Sequence, residues 1–141
     1  NYEDRTTCPL FGDGAAAVLL EPTTDDLGVI DSFLRVDGLG QSHLHQKAGG
    51  SERPASIETV TNREHFVYQE GPAVFKHAVS DMSAVTEEIM KRNHLTAADL
   101  SWFVPHQANM RIIEAVGKRI DLPKEKILIN IEKNMSAQIF I

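Results

Sequence analysis

The chain has 141 residues with 42% hydrophobic content, which is enough to close one core, so the length predicts a single domain over residues 1–141. The net charge of −6 and the absence of a basic stripe interleaved with aromatic residues exclude a general nucleic-acid-binding protein. No apolar run approaches the roughly 20 residues of a membrane helix, so we expect a soluble protein without membrane contact. Because the sequence begins at Asn1 rather than methionine, we also expect truncation.

The single cysteine, Cys8, excludes an internal disulfide and a cysteine-rich zinc site, which fits a reducing cytoplasm. It lies between Thr7 and Pro9, without the strand-to-helix turn that would activate a thiol at the amino end of a helix. We therefore expect Cys8 to be a structural core thiol and not a nucleophile.

The first third of the chain predicts two strands. Residues 11–14 hold two glycines around Asp13, which is typical of a tight turn in which the carboxylate accepts backbone N–H bonds. A phosphate loop is not favoured there, because neither a lysine nor a helix start follows. The apolar run at 15–20 predicts a buried strand, and the alternating residues 29–37 predict a second strand after a polar turn. We expect the two to form a hairpin-like pair.

Residues 38–56 are rich in Gly, Ser, His and Gln and predict a loop. This loop contains His43 and His45, which have the spacing of a His-x-His zinc site, but no third ligand has a suitable spacing nearby. We therefore expect no metal site, with both histidines as solvent-facing loop residues.

Two helices follow in the second half. Gly71-Pro72 predicts the start of the longer helix, since proline is preorganised for the first helical turn, and Asn93-His94 predicts its end, with His94 exposed. Helical spacing predicts one buried face of this helix, formed by Phe75, Ala78, Val79, Met82, Val85 and Ile89. After a short turn at residues 96–99 and a strand, the second helix ends near Leu122-Pro123. Its inner face comprises Met110, Ile113, Val116 and Ile120.

A polar step at the end of a strand predicts the functional site. The short apolar run 100–104 predicts a buried strand that Pro105 ends, which places His106 at its carboxyl end. Residues 127–131 predict a second buried strand, which leads to Asn134. A strand, helix, strand crossover makes the two strands parallel and brings both polar residues to one rim of the sheet, where ligands bind in α/β proteins. The alternative for His106 is a structural histidine that caps the helix or pairs with a buried carbonyl.

Residues 105–109, Pro-His-Gln-Ala-Asn, and residues 111–116, Arg-Ile-Ile-Glu-Ala-Val, resemble the histidine motif of β-ketoacyl-acyl carrier protein synthase III. The similarity extends to residues 3–8, 10–16 and 74–79 and covers nearly the whole chain. It implies the C-terminal half of a thiolase-like α/β fold, a layered mixed sheet with packed helices, truncated at both ends. It also implies an acyltransferase that initiates fatty acid synthesis by decarboxylating condensation of acyl-CoA with malonyl-acyl carrier protein. The family's nucleophilic cysteine would lie outside this chain, which alone would be inactive.

The resemblance also implies roles for individual residues. His106 and Asn134 would be the catalytic pair that stabilises negative charge on the malonyl thioester oxygen. Around Asn134 the chain departs from the family pattern Tyr-Gly-Asn-Thr-Ser-Ala-Ala and is two residues short before the asparagine. The pantetheine arm of the substrate would contact Gly71, Phe75, Ala108 and Asn109, although capping of the second helix is an equally good role for Asn109. Acyl carrier protein would dock on a basic patch formed by Lys76, Arg111, Lys118 and Arg119. The alternative is that these four residues are ordinary solvated charges.

The implied partners are acyl carrier protein and acyl-CoA, with a coenzyme A thioester as substrate, no further cofactor, a cytoplasmic location and a homodimer in the full-length enzyme. Two alternatives stay open. One is another thiolase-fold condensing enzyme of secondary metabolism, and the other is a non-catalytic half that binds carrier protein.

Overall fold

A computed structural model describes residues 2–11, 15, 17–107 and 109–131. Its helices are α1 (Ile57–Thr61), α2 (Gly71–Arg92) and α3 (Met110–Arg119), and its strands are β1 (Leu44–Gln46) and β2 (Val67–Gln69). Two short 3₁₀ turns cover Gly38–His43 and Lys124–Lys126. The chain is therefore of the mixed α/β class, as expected. Within these residues no helix is both long enough and apolar enough to span a membrane.

The long helix α2 confirms the predicted bounds. Pro72 lies in its first turn, and the backbone N–H of Asn93 closes its last turn on the carbonyls of Ile89, Met90 and Lys91. Its apolar face packs against α3 and the first 3₁₀ turn, but this face is half-buried rather than buried. Only Ser83 is completely buried in this helix, and its hydroxyl donates to the carbonyl oxygen of Val79 at 2.7 Å.

The second predicted helix is α3, and it carries the core of the described chain. Ile113 and Val116 are completely buried, as their spacing predicted, whereas Met110 is half-buried. Ile113 packs with Ile120, Leu122 and Ile127, and partly buried residues before the helix cover this cluster from the side: Ala97, Leu100 and Phe103. Burial of several branched side chains in one place is the main stabilising term for this region.

The predicted strands before and after α3 are reduced to a single parallel bridge. The Phe103 N–H donates to the carbonyl of Lys126 at 2.8 Å, and the Leu128 N–H donates to the carbonyl of Phe103 at 2.9 Å. The bridge joins Phe103 to Ile127, so the predicted parallel pairing of the segments before and after α3 is confirmed at this one position. The prediction of two buried strands is wrong, because Pro105 has no N–H with which to extend the ladder and Trp102 is 62% exposed.

The predicted loop 38–56 contains structure that its composition did not reveal. Besides the first 3₁₀ turn it includes β1, which pairs antiparallel with β2 in the register His45 to Tyr68. The two histidines are half-buried rather than solvent-facing, because His45 lies against the Tyr68 ring and the Nδ1 atom of His43 lies 2.6 Å from a carboxylate oxygen of Glu70. A strand of three residues is too short to be recognised without its partner.

Neither predicted strand of the first third is formed. The described residues of 15–20 and all of 29–37 have no ladder partner in the described part of the chain, and most of their apolar side chains are exposed, so the predicted hairpin is wrong. A strand cannot satisfy its own backbone groups, so a suitable pattern without a partner gives no sheet. The predicted turn around Asp13 lies outside the described residues.

Cys8 lies in a turn near the start of the chain and is half-buried, so its prediction as a core residue is wrong. The turn is organised by Asp4, whose carboxylate accepts hydrogen bonds from both hydroxyls of Thr6 and Thr7 and from the Thr6 N–H. These bonds, with the Thr6 hydroxyl as the largest contribution, lower the pKa of Asp4 to about 2. The Cys8 N–H is used by the same turn, donating to the Asp4 carbonyl at 2.9 Å.

Candidate active site

The imidazole of His106 lies three residues beyond the parallel bridge. The chain leaves the bridge at Phe103, passes through the buried Pro105 and reaches His106, whose side chain is half-buried. Desolvation by this burial lowers the pKa of His106 below its ordinary value of 6.5. The shift favours the uncharged imidazole at neutral pH, and a neutral ring offers one N–H donor and one acceptor nitrogen.

A buried carboxamide lies directly after the histidine. Gln107 is 6% exposed, and its Nε2 atom donates to the carbonyl oxygens of Pro105 at 2.9 Å and Leu128 at 3.1 Å. Its Oε1 atom accepts the backbone N–H of Asn130 at 3.0 Å. Sequence reasoning gave Gln107 no role of its own. The signal that could have predicted this role is Pro105. Because proline has no backbone N–H, a backbone carbonyl on the neighbouring segment needs a hydrogen-bond donor from elsewhere.

Asn109 is the N-cap of α3. Its Oδ1 atom accepts the backbone N–H of Arg111 at 2.9 Å, and its backbone is extended, as an N-cap requires. Of the two roles considered for this residue, the structure shows the capping role.

An aromatic contact joins the beginnings of the two long helices. The guanidinium carbon of Arg111 lies 5.5 Å from the centroid of the Phe75 ring, within the range of a cation–π interaction. Phe75 is half-buried in α2, and Gly71 forms the exposed first turn of the same helix. The structure thus brings a residue expected to contact substrate next to one expected to contact carrier protein.

Comparison with known proteins places these features in a family. The family model described as 3-Oxoacyl-[acyl-carrier-protein (ACP)] synthase III C terminal matches residues 90–138, and the model described as 3-Oxoacyl-[acyl-carrier-protein (ACP)] synthase III matches residues 1–38. A Bacteroides thetaiotaomicron relative named Beta-ketoacyl-[acyl-carrier-protein] synthase III 2 is 60% identical over 132 residues, which are 94% of this chain and 39% of the relative. A Porphyromonas gingivalis relative named Beta-ketoacyl-[acyl-carrier-protein] synthase III is 58% identical over 133 residues, 94% of this chain and 40% of the relative.

The chain belongs to the 3-oxoacyl-[acyl-carrier-protein] synthase III family. The structure agrees, because the crystal structure of 3-oxoacyl-[acyl-carrier-protein] synthase III from Aquifex aeolicus matches 98% of this chain with a TM-score of 0.80 at 31% identity. This match covers 40% of the Aquifex chain, and the present chain likewise spans about 40% of the length of the curated synthase III relatives that it matches. The predicted fold class, a part of the thiolase-like α/β fold, is confirmed.

The residues expected to dock carrier protein in synthase III lie on two helices. Lys76 is exposed in the second turn of α2, directly after Phe75, and Arg111 is exposed at the start of α3. Lys118 and Arg119 are exposed in the last turn of α3, about 10 Å farther along the helix axis. Within the described residues the expected patch is therefore spread over α2 and both ends of α3.

Two residues of the expected synthase III site, Ala108 and Asn134, lie outside the described residues. The meeting of His106 with Asn134 on one rim therefore stays a prediction. The described residues show only where the preceding segment lies. The backbone N–H of Asn130, four residues before Asn134, is bonded to Gln107, which is next to His106 in the chain.

Among the described residues, His43 and His45 have no further ligands with which to form a metal centre. No group of three His, Cys, Asp or Glu side chains there has the arrangement of metal ligands. His43 pairs with Glu70, and its ring stacks at 6.0 Å between centroids on that of His77 in α2. These contacts join the first 3₁₀ turn to the start of α2.

Proposed function

We propose that the full protein catalyses the decarboxylating condensation of an acyl-CoA with malonyl-acyl carrier protein, the step that initiates fatty acid synthesis. The proposal rests on the position of His106, a half-buried imidazole with a lowered pKa, three residues beyond the parallel bridge between Phe103 and Ile127. The names of the relatives give the reaction class, since they are β-ketoacyl-[acyl-carrier-protein] synthases III at up to 60% identity.

In this reaction a cysteine thiolate, supplied by residues beyond this chain, attacks the acyl-CoA carbonyl and forms an acyl thioester as the coenzyme A thiolate leaves. The malonyl group then loses carbon dioxide, and the electron pair of the broken C–C bond forms an enolate. The enolate carbon attacks the acyl thioester, forming the new C–C bond and releasing the cysteine thiolate. The enolate oxygen carries the developing negative charge.

His106 and Asn134 are assigned the stabilisation of that oxygen. An imidazole N–H and a carboxamide N–H both donate to an oxyanion, and a fixed donor in a dry site needs no reorganisation as charge develops. Burial lowers the pKa of His106 and so favours the neutral ring, which keeps one N–H donor for that oxygen.

The decisive experiment replaces His106 in the full gene product. We expect His106→Ala to lower the rate of malonyl-acyl carrier protein decarboxylation on the order of a hundredfold or more, as loss of one such donor does elsewhere. His94→Asn is the matched control, because His94 is exposed just beyond the C-terminal end of α2 and asparagine tolerates its positive φ. Unchanged decarboxylation in His106→Ala would remove this residue from the mechanism.

The protonation state of His106 can be tested separately by NMR titration, with the His106→Ala spectrum used to assign its ring signal. We expect a titration midpoint below 6.5, because desolvation opposes the charged ring. Since the pKa is lowered in the folded state, folding stability falls as the pH drops below about 6.5, where the unfolded chain takes up the proton more readily. A midpoint above 6.5 would contradict a neutral imidazole in the site.

Carrier-protein docking is assigned to Lys76, Arg111, Lys118 and Arg119, and the pantetheine arm to Gly71, Phe75, Ala108 and Asn109. Lys118→Glu should weaken binding of acyl carrier protein by about tenfold at low ionic strength and by less at high salt, because exposed charges are screened. Lys91→Glu is a matched control, since it makes the same charge change in the last turn of α2. Equal weakening by both variants would indicate a general charge effect and no specific patch.

A further inference from the structure

The parallel bridge before His106 lacks its next step. In a parallel ladder, the N–H of a residue donates to the carbonyl of one residue on the partner strand. The carbonyl of the same residue accepts the N–H of the partner residue two positions after that one. Phe103 does this with Lys126 and Leu128. The same register would next pair the N–H of residue 105 with the Leu128 carbonyl, and the carbonyl of residue 105 with the Asn130 N–H. Residue 105 is proline, so the first of these bonds has no donor.

The side chain of Gln107 takes the place of this missing step. Its Nε2 atom supplies the absent donor to the Leu128 carbonyl at 3.1 Å, and its Oε1 atom accepts the Asn130 N–H at 3.0 Å. The second Nε2 hydrogen bonds the Pro105 carbonyl at 2.9 Å. The three backbone groups of the interrupted step are thus each paired with one buried carboxamide, which has the two donors and one acceptor that they need.

These hydrogen bonds hold the backbone on both sides of His106. The bond from Gln107 to the Pro105 carbonyl spans the histidine, so the backbone on both sides of it is held by one side chain. The bonds to Leu128 and Asn130 hold the same carboxamide on the neighbouring segment, which continues toward Asn134. A fixed backbone restricts the direction in which the imidazole can point, and a catalytic donor tolerates little displacement.

We propose that Gln107 is a positioning residue, which replaces the ladder step lost at Pro105 and so fixes the His106 imidazole relative to the segment that begins at Asn130. The inference rests on the proposed condensing function. Gln107 does not contact substrate in this proposal, and it acts only through the position of His106.

Two variants of the full gene product test this role. Gln107→Glu keeps the shape but puts a carboxylate oxygen, which cannot donate, in the place of Nε2 against the carbonyls of Pro105 and Leu128. A protonated carboxyl restores one donor there. We expect its kcat to fall by about tenfold to a hundredfold near pH 8, with the Michaelis constant for malonyl-acyl carrier protein within about twofold, and to recover partly as the pH is lowered. Gln107→Met has no donor at any pH, so its kcat should fall without recovery. Gln41→Glu, at an exposed position, is the matched control and should match the wild type.

The outcomes separate this inference from the proposed function. An inactive wild-type protein, or a fully active His106→Ala variant, contradicts the condensing function itself. An active wild type with an impaired His106→Ala variant, but with the kcat of both Gln107 variants within about threefold of wild type, overturns the positioning role. So does a loss that follows only the folded fraction measured by thermal melting, because a purely structural residue would leave the kcat of the folded protein unchanged. If Gln107→Glu does not fold, Gln107→Met and its pH profile decide between these outcomes.

Discussion

Two regions of this molecule contain similar amounts of branched apolar sequence and use it in opposite ways. The C-terminal unit, residues 96–131, packs Ile113, Ile120, Leu122 and Ile127 into one core around α3. The N-terminal stretch, residues 17–37, leaves Leu20 88% exposed and Val36 97% exposed and forms no strand. A helix supplies hydrogen bonds to its own backbone and needs only one covered face, whereas a strand needs a neighbour as well as a covered face.

Only a few polar contacts hold the N-terminal stretch to the rest of the described chain. The Asp31 carboxylate accepts hydrogen bonds from Arg92 at 2.8 Å and from Asn93 at 3.0 Å, both at the end of α2. The Arg92 guanidinium carbon also lies 5.8 Å from the centroid of the Phe33 ring. The stretch thus carries sequence that is suited to strand pairing but has no ladder partner among the described residues.

The largest expected effect tests the packed side of this comparison. Ile113→Ala should lower the free energy of unfolding of the protein by about 2–5 kcal/mol, because the side chain is 0% exposed and its removal leaves a cavity. Ile57→Ala makes the same change at an exposed position and should cost less than about 0.5 kcal/mol. Urea denaturation followed by circular dichroism measures both, and equal small losses would mean that the C-terminal unit is not closely packed.

The difference between helices and strands also explains which parts of the fold could be predicted from the sequence. Pro72, Asn93 and the apolar spacing of α3 are local signals, and they predicted both long helices. The end of α3 was predicted near Leu122-Pro123, but the helix ends at Arg119. The pairing of β1 with β2 depends on residues more than 20 positions apart, and no local pattern revealed it. In the site, the position of His106 just beyond a parallel contact and before α3 was predictable. The contacts of Gln107 were not, because they depend on where Leu128 and Asn130 lie in the fold.

The next effect concerns the start of α3 inside the C-terminal unit. Asn109→Ala should lower the free energy of unfolding by about 0.5–2 kcal/mol, because it removes the acceptor for the Arg111 N–H at the N-cap. Asn109→Ser keeps an acceptor oxygen there and should retain most of this stability. A loss of similar size in both variants would show that Asn109 stabilises the protein in some way other than capping.

A smaller effect tests the connection between the two regions. A double-mutant cycle with Asp31→Ala and Arg92→Ala should give a coupling free energy of about 0.5–1 kcal/mol, as expected for a partly exposed charged pair. The matched pair is Glu114 with Lys124, which is more exposed and longer at 3.2 Å and should give a smaller coupling. A coupling near zero between Asp31 and Arg92 would mean that this ion pair does not hold the N-terminal stretch.

The smallest expected effect is at the most apolar part of the N-terminal stretch. In the 141-residue chain Leu20→Ser should change the free energy of unfolding by less than about 0.5 kcal/mol, since an exposed leucine loses no buried contact when it is shortened. The change also lowers the strand propensity of an apolar run, which has no consequence where no ladder forms. Urea denaturation of the two chains under identical conditions measures the difference. A loss of about 2 kcal/mol would require Leu20 to be buried in solution, and the contrast between an unpaired stretch and a packed unit would then be wrong at this position.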